Sequence, residues 1–215
     1  MDFKCRLYFV TEQALSGGRA TIDIVKQAIA GGVDAIQLRE KHMEAREVLE
    51  LGYSLKEILR RHQIPLIVND RIDIAMALDA DGVHLGQTDL PIEVARKLLG
   101  PDKIVGISVS GVEEALEAVE KGADYLGVGP IFPTGSKEDA KKPIGLEGLQ
   151  RIREKVSLHL TAIGGINRDN AAEVIKAGAD SIAVISALSA AENVEEAARE
   201  LRSVIGKASK KEGSS

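Results

Sequence analysis

Several short strings of acidic, basic and hydroxyl residues in this chain stand directly after apolar runs. Gln37-Leu38-Arg39-Glu40-Lys41 follows one run, Asn69-Asp70-Arg71 the next, and His84-Leu85-Gly86-Gln87-Thr88-Asp89 closes a third. Asp70 and Asp89 end neighbouring runs, so their carboxylates can converge on one hard cation. Mg²⁺ takes one or two carboxylates and completes its shell with water and phosphate oxygens. Arg39 and Lys41 beside them would neutralise the rest of a polyphosphate. The alternative makes both aspartates helix N-caps, for Asp70 ahead of Arg71-Ile72-Asp73.

A second anion site is expected near the end of the chain. Gly164-Gly165 lets backbone approach a ligand closely, and Ser186 after Ile185 adds a hydroxyl. A simple turn is the plainer reading of a Gly-Gly pair. Between Phe132 and Leu146 lies a connection longer than usual, carrying Thr134, Gly135, Ser136 and Lys137. It reads as a lid that would bring the Lys137 ammonium over the site, or else as a disordered basic loop.

These strings need a frame that brings run ends together. Eight short apolar runs recur: Leu7 to Val10, Ala35 to Leu38, Leu66 to Val68, Gly82 to Leu85, Ile104 to Val109, Tyr125 to Val128, Leu160 to Ile163 and Ile182 to Ile185. Amphipathic stretches of helical period separate them, such as Thr21 to Ala30 and Val112 to Gly122. Eight strand–helix units in 215 residues predict a single α/β domain, a closed (β/α)8 TIM barrel over 1–207, with a frayed polar tail over 208–215. Reacting groups in that fold sit where strands end. The competing open, doubly wound sheet lacks its Gly-rich fingerprint after the first strand, where only Gly17-Gly18 stands. Within strand 2, alternation puts Gln37, Arg39 and Lys41 toward the mouth and Ile36 and Leu38 toward the helices.

A repeat of Gly, a small residue and Asp precedes the even-numbered runs, as Gly32-Val33-Asp34, Gly122-Ala123-Asp124 and Gly178-Ala179-Asp180, with a looser copy at Asp79-Ala80-Asp81-Gly82. It reads as helix-ending glycines plus turn aspartates and is assigned structure, not chemistry.

Composition excludes several classes of function. With 28 Lys+Arg against 33 Asp+Glu the net charge is −5, which offers no footprint for nucleic acid. Cys5 is the single cysteine, so neither an internal disulfide nor a multi-cysteine metal site exists, and a reducing, cytoplasmic setting is expected. Neither a signal peptide nor a run of ~18 apolar residues is evident, so no membrane partner is expected. Cys5, His62 and His159 lie away from strand ends and read as structural. His84, inside a strand, reads as a hydrogen-bonded core residue. No Ser/His/Asp or Cys/His set is evident.

Five motifs in register, Gln37 to Lys41, Val68-Asn69-Asp70, His84-Leu85-Gly86-Gln87 with Asp89, Gly129 to Thr134 with Ser136-Lys137, and Ala162 to Ile166, resemble thiamine-phosphate synthase (thiamine-phosphate pyrophosphorylase) from Leu7 to about Ile205. The resemblance implies a (β/α)8 barrel that joins 4-amino-2-methyl-5-hydroxymethylpyrimidine diphosphate to 4-methyl-5-(2-hydroxyethyl)thiazole phosphate and releases pyrophosphate. It implies that Gln37, Leu38, Arg39, Glu40, Lys41, Asn69, Ser108 and Lys137 hold the pyrimidine diphosphate. Arg39, Lys41, Ser108 and Lys137 would act in catalysis, and Asp70 and Asp89 would bind Mg²⁺. Thr134, Gly135, Ser136, Gly165, Ile185 and Ser186 would hold the thiazole phosphate. The implied route loses pyrophosphate first and leaves a pyrimidine-methyl cation for the thiazole nitrogen, so no base is needed. Ser136 stands where the family often has Thr, and His42 where a small polar or acidic residue is commoner.

Other functions fit less of the chain. A thiazole tautomerase or regulator on the same barrel carries His where this chain has Pro130, and so this chain lacks that proton carrier. A Schiff-base aldolase would need Lys137 inside a strand. A non-catalytic thiazole-phosphate sensor would not need Asp70, Asp89 and Lys137. Partners are therefore expected to be small molecules, with a homo-oligomer open.

Overall fold

The computed structural model of the chain describes residues 3–135 and 142–210. The apolar runs form eight parallel strands: β1 (Leu7–Val10), β2 (Ala35–Leu38), β3 (Leu66–Asn69), β4 (Gly82–Leu85), β5 (Ile104–Val109), β6 (Tyr125–Val128), β7 (His159–Ile163) and β8 (Ser181–Val184). They pair in chain order, and β8 closes on β1 through Leu7↔Ile182 and Phe9↔Val184. The fold is a single (β/α)8 barrel. Its helices are α1 (Thr21–Ala30), α2 (Ala45–His62), α3 (Ile72–Leu78), α4 (Ile92–Leu99), α5 (Val112–Glu120), α6 (Gly145–Arg153), α7 (Ala171–Lys176), α8 (Ser186–Ser189) and α9 (Val194–Lys210).

Alternation along each strand divides the core in two. Leu7, Phe9, Ile36, Leu38, Val68, Val83, Leu126 and Val184 pack outward against the helices. Tyr8, Val10, Ala35, Ile67, Ile104, Tyr125 and Ala183 fill the barrel itself. Phe3 plugs its lower end, stacked on the Tyr125 ring with centroids 4.3 Å apart.

The repeated aspartates fasten the strand starts. The carboxylates of Asp34, Asp81, Asp124 and Asp180 each accept a backbone N–H of the neighbouring odd strand, from Leu7 (3.0 Å), Leu66 (2.8 Å), Val105 (2.7 Å) and Leu160 (2.8 Å). Arg202, Arg96 and Arg153 then donate to Asp34, Asp124 and Asp180. These bonds satisfy N–H groups that the ladder leaves over at the end remote from the mouth.

Several boundaries differ from expectation: β3 runs on to Asn69, β7 begins at His159 and β8 at Ser181. Ile185 leaves the extended region, with φ −111° and ψ −83°, so β8 stops at Val184 and Ser186 opens α8. Residues 208–210, expected in the polar tail, belong instead to α9, which runs on to Lys210 and buries Ala208. Ser209 there accepts a hydrogen bond from the Arg6 guanidinium. The rest of the expected tail lies outside the described residues. No described helix is long and apolar enough to cross a membrane.

Candidate active site

The strand ends surround one cavity of about 760 Å³, lined among others by Arg39, Lys41, Asn69, Asp70, Asp89, Ser108, Thr134, Gly165, Ile185 and Ser186. That volume suits small-molecule ligands. Its two sides carry different chemistry.

On the side of β2, β3 and β4, charge is concentrated. Asp70 follows β3 in the left-handed region, with φ +60°, and its N–H is held by the His84 carbonyl at 2.8 Å. Its carboxylate takes the Lys41 ammonium at 2.9 Å. Burial pushes the Asp70 carboxyl up, but the hydrogen bond from Lys41, a hydrogen bond with Asp89 and the Lys41 charge hold it below its ordinary value. Asp89 stands higher than usual. Burial raises it, and the neighbouring Asp70 charge adds to that against the Gly86 N–H, which donates to Asp89 Oδ2 at 2.6 Å. The two carboxylates therefore lie side by side, and the Asp70 charge holds back ionisation of Asp89. Neither caps a helix: the residue before α3 is Arg71 and the one before α4 is Pro91.

Arg39 is buried and ion-paired with Glu12, equally buried at the end of β1. Thr11 fixes the same stretch from both sides, its hydroxyl donating to the Arg39 carbonyl and accepting from the Arg39 N–H. Glu12 was not singled out in the sequence. It sits one residue past Thr11 with no motif around it, and only barrel closure brings it to Arg39.

Gln37 points inward but one layer below the cavity, its amide donating to the Tyr8 hydroxyl at 3.1 Å. Leu38 and Glu40, expected among the substrate contacts, turn their side chains elsewhere. Leu38 packs in the helix-facing core. Glu40 accepts from the Thr21 hydroxyl (3.0 Å) and the Gln13 N–H (2.9 Å), and burial raises its carboxyl against those bonds. Both side chains fasten the β2 end in place of reaching the mouth. Ser108, at the end of β5, does reach it, with its Oγ 2.9 Å from His84 Nε2.

The opposite side is built from backbone. Gly164 and Gly165 take positive φ, +102° and +65°. A methyl group on Gly165 would stand 2.6 Å from the Pro133 carbonyl oxygen, so only glycine fits beneath the 130–133 segment. That segment continues the ladder, with the Ile131 and Phe132 N–H groups donating to Ile163 and Gly164. Thr134 and Gly135 then line the same cavity as exposed Ser186. Ser136 and Lys137, with the centre of the expected lid, lie outside the described residues.

The groups expected to be structural lie away from the mouth. Cys5 is buried, and burial pushes its thiol up to about 12. His159 bonds the Ser181 hydroxyl inside the barrel at 3.0 Å, and His62 ends α2 on the surface. Among the described residues His84 is the one histidine lining the cavity, and Pro130 stands in its wall.

Known proteins match this arrangement. The family model for thiamine monophosphate synthase matches residues 7–188. Thiamine-phosphate synthase of Moorella thermoacetica is 57% identical over 202 residues, covering 94% of this chain and 96% of that protein. The Chloroflexus aurantiacus protein of the same name is 54% identical, covering 93% and 92%. The solved thiamine phosphate pyrophosphorylase from Pyrococcus furiosus superposes with a TM-score of 0.87 at 47% identity, over 95% of this chain and 96% of that one. With a barrel of that family's shape and a match spanning nearly its whole length, the chain belongs to the thiamine monophosphate synthase family.

Proposed function

We propose that this enzyme joins 4-amino-2-methyl-5-hydroxymethylpyrimidine diphosphate to 4-methyl-5-(2-hydroxyethyl)thiazole phosphate, giving thiamine phosphate and pyrophosphate. The observation that carries the reading is one cavity with two unlike anion-binding sides. A cationic side is formed by Arg39 and Lys41 beside paired carboxylates, and a glycine-built side by Gly164, Gly165 and Ser186. A diphosphate and a monophosphate substrate would divide between them.

The donor set fits Mg²⁺. Asp70 and Asp89 are adjacent oxygen ligands, and the Asp70 charge disfavours ionisation of Asp89, a cost that a hard divalent cation relieves. When bound, the cation would neutralise charge on the diphosphate as it leaves.

The chain's own residues do the rest. Arg39, Lys41 and, from the motif resemblance in the sequence, Lys137 would stabilise the departing diphosphate oxygens. The C–O bond breaks with its electron pair going to pyrophosphate. The thiazole nitrogen then gives its lone pair to the pyrimidine-methyl carbon, so no proton has to be removed. Asn69 and Ser108 hold the pyrimidine diphosphate, and Thr134, Gly135, Ser136, Gly165, Ile185 and Ser186 hold the thiazole phosphate against it. Closure of the 132–146 connection would exclude water from the cation. The single buried thiol supports a cytoplasmic setting.

The test is pyrophosphate release with both substrates, with and without Mg²⁺, while thiamine phosphate is followed by chromatography. Mg²⁺-dependent release matching product one for one is expected. Thiazole-phosphate binding without coupling would assign the chain to tautomerase or sensor chemistry.

A further inference from the structure

A row of hydrogen bonds crosses the barrel interior beneath the cavity. Gln37 Nε2 donates to Tyr8 Oη (3.1 Å), Tyr8 Oη meets Tyr125 Oη (3.0 Å), Tyr125 Oη meets His84 Nδ1 (2.8 Å), and His84 Nε2 meets Ser108 Oγ (2.9 Å). The barrel is shaped around this row. A methyl group on Gly106 would lie 2.1 Å from the Tyr125 ring, and one on Gly127 would lie 2.7 Å from His84 Cε1. Glycine at both positions makes room for the rings.

One end of the row sets its direction. An amide nitrogen only donates, so Tyr8 Oη accepts from Gln37 and has its own proton to place. Burial pushes both phenols up, so both keep their protons. Tyr8 then donates to Tyr125, and Tyr125 donates to Nδ1. The imidazole proton is left on Nε2, where it is given to Ser108 Oγ. In the reversed order the Tyr8 proton has no acceptor in the row, which is costly at a buried site.

We propose that His84 is a positioning residue: it fixes Ser108 as a hydrogen-bond donor into the mouth, and thereby selects an acceptor atom of the pyrimidine diphosphate at that point. The inference rests on the proposed function for the identity of that ligand, while the proton order stands on the row itself.

The first readout needs no substrate. In protein labelled with ¹⁵N-histidine, at about pH 8.5 where a free imidazole is neutral, the His84 signals, assigned by their loss in His84→Gln, should show protonated Nε2 and bare Nδ1. A proton on Nδ1 would overturn the proposal. Tyr125→Phe keeps the ring but removes the donor to Nδ1, and is expected to move the proton to Nδ1.

The second readout is kinetic. Tyr125→Phe should raise the KM for the pyrimidine diphosphate about tenfold, the scale of one hydrogen bond, and leave the thiazole-phosphate KM unchanged. His84→Gln, whose terminal amide can still donate to Ser108, should retain most of the affinity that His84→Leu loses. In a Ser108→Ala background the Tyr125→Phe effect should disappear, since the row would have nothing left to orient. An equal rise in both KM values, or an undiminished loss in the Ser108→Ala background, would overturn the proposal. Wild-type protein that makes no thiamine phosphate would refute the functional reading, and the tautomer spectrum would still decide the proton order.

Discussion

The Lys41 ammonium donates to the Asp70 carboxylate at 2.9 Å, tying the end of β2 to the end of β3 through two groups that a diphosphate and its cation would both seek. On the proposed function, ligand binding would redistribute this pair, with Asp70 turning to the cation and Lys41 to phosphate oxygen. Replacing Lys41 by Met removes a competitor for Asp70 and a stabiliser of the leaving group together. Mg²⁺ is expected to bind the variant at least as tightly, while turnover falls by on the order of 10²-fold. Calorimetric Mg²⁺ titration beside a turnover assay checks this. Weaker Mg²⁺ binding with unchanged turnover would reduce Lys41 to a prop for Asp70.

Asp89 is expected to make the site sensitive to pH. Burial and the Asp70 charge raise its carboxyl despite the Gly86 N–H, so its ionised form is disfavoured in the folded chain. A raised acid contributes stability that is fully present below its unfolded value and lost as pH rises through the folded one. The metal-free protein thus carries a cost at neutral pH that Asp89→Asn removes. The variant is expected to melt higher without metal by about 2 °C at pH 7, with the difference vanishing in acid, and to lose Mg²⁺ binding. Asp70, lowered overall, works in the opposite sense, its contribution being lost as pH falls below the ordinary carboxylate range. Metal binding should weaken as pH falls through the raised Asp89 value. Thermal melts across pH, with and without Mg²⁺, decide it, and a variant that melts lower at neutral pH would refute the assigned cost.

The buried pair of Glu12 and Arg39 makes a separate prediction, because breaking such a pair strands the other charge. Glu12→Gln should lower stability by on the order of 3 kcal/mol and raise the pyrimidine-diphosphate KM, as Arg39 loses its fixed direction. Urea unfolding with steady-state kinetics tests both. A loss well under about 1 kcal/mol, the scale of an exposed pair, would show that the guanidinium is hydrated at the mouth.

What the sequence could and could not reveal follows from how each contact is made. Asp34, Asp81, Asp124 and Asp180 were legible because one local turn recurs at each even strand, whereas Asp70 and Asp89 stood out only because each follows one of two neighbouring runs. The direction of Leu38 follows from strand alternation. Glu40, two residues on, keeps that alternation and turns to Thr21 and Gln13, so its expected substrate contact rested on the family resemblance alone. Glu12 meets Arg39 across 27 residues and His84 meets Tyr125 across 41. Only closure of the barrel sets those neighbours, and no local pattern marks them. His84 was legible as a bonded core residue but not as the partner of Ser108.

The two sides of the cavity should separate kinetically. On the proposed function Asp70→Ala and Lys137→Ala would act on the departing diphosphate, and they are expected to cost turnover far more than thiazole-phosphate binding. Ser186→Ala should mainly raise the thiazole-phosphate KM, by about tenfold for one lost hydrogen bond. Gly165→Ala should do so more severely, because its positive φ and the Pro133 carbonyl 2.6 Å from any added methyl force the glycine-built wall to move. Dissociation constants for thiazole phosphate alone, measured beside kcat for each variant, give the comparison. If Asp70→Ala weakened thiazole-phosphate binding while Gly165→Ala slowed turnover at unchanged affinity, the two substrates would have to exchange sides.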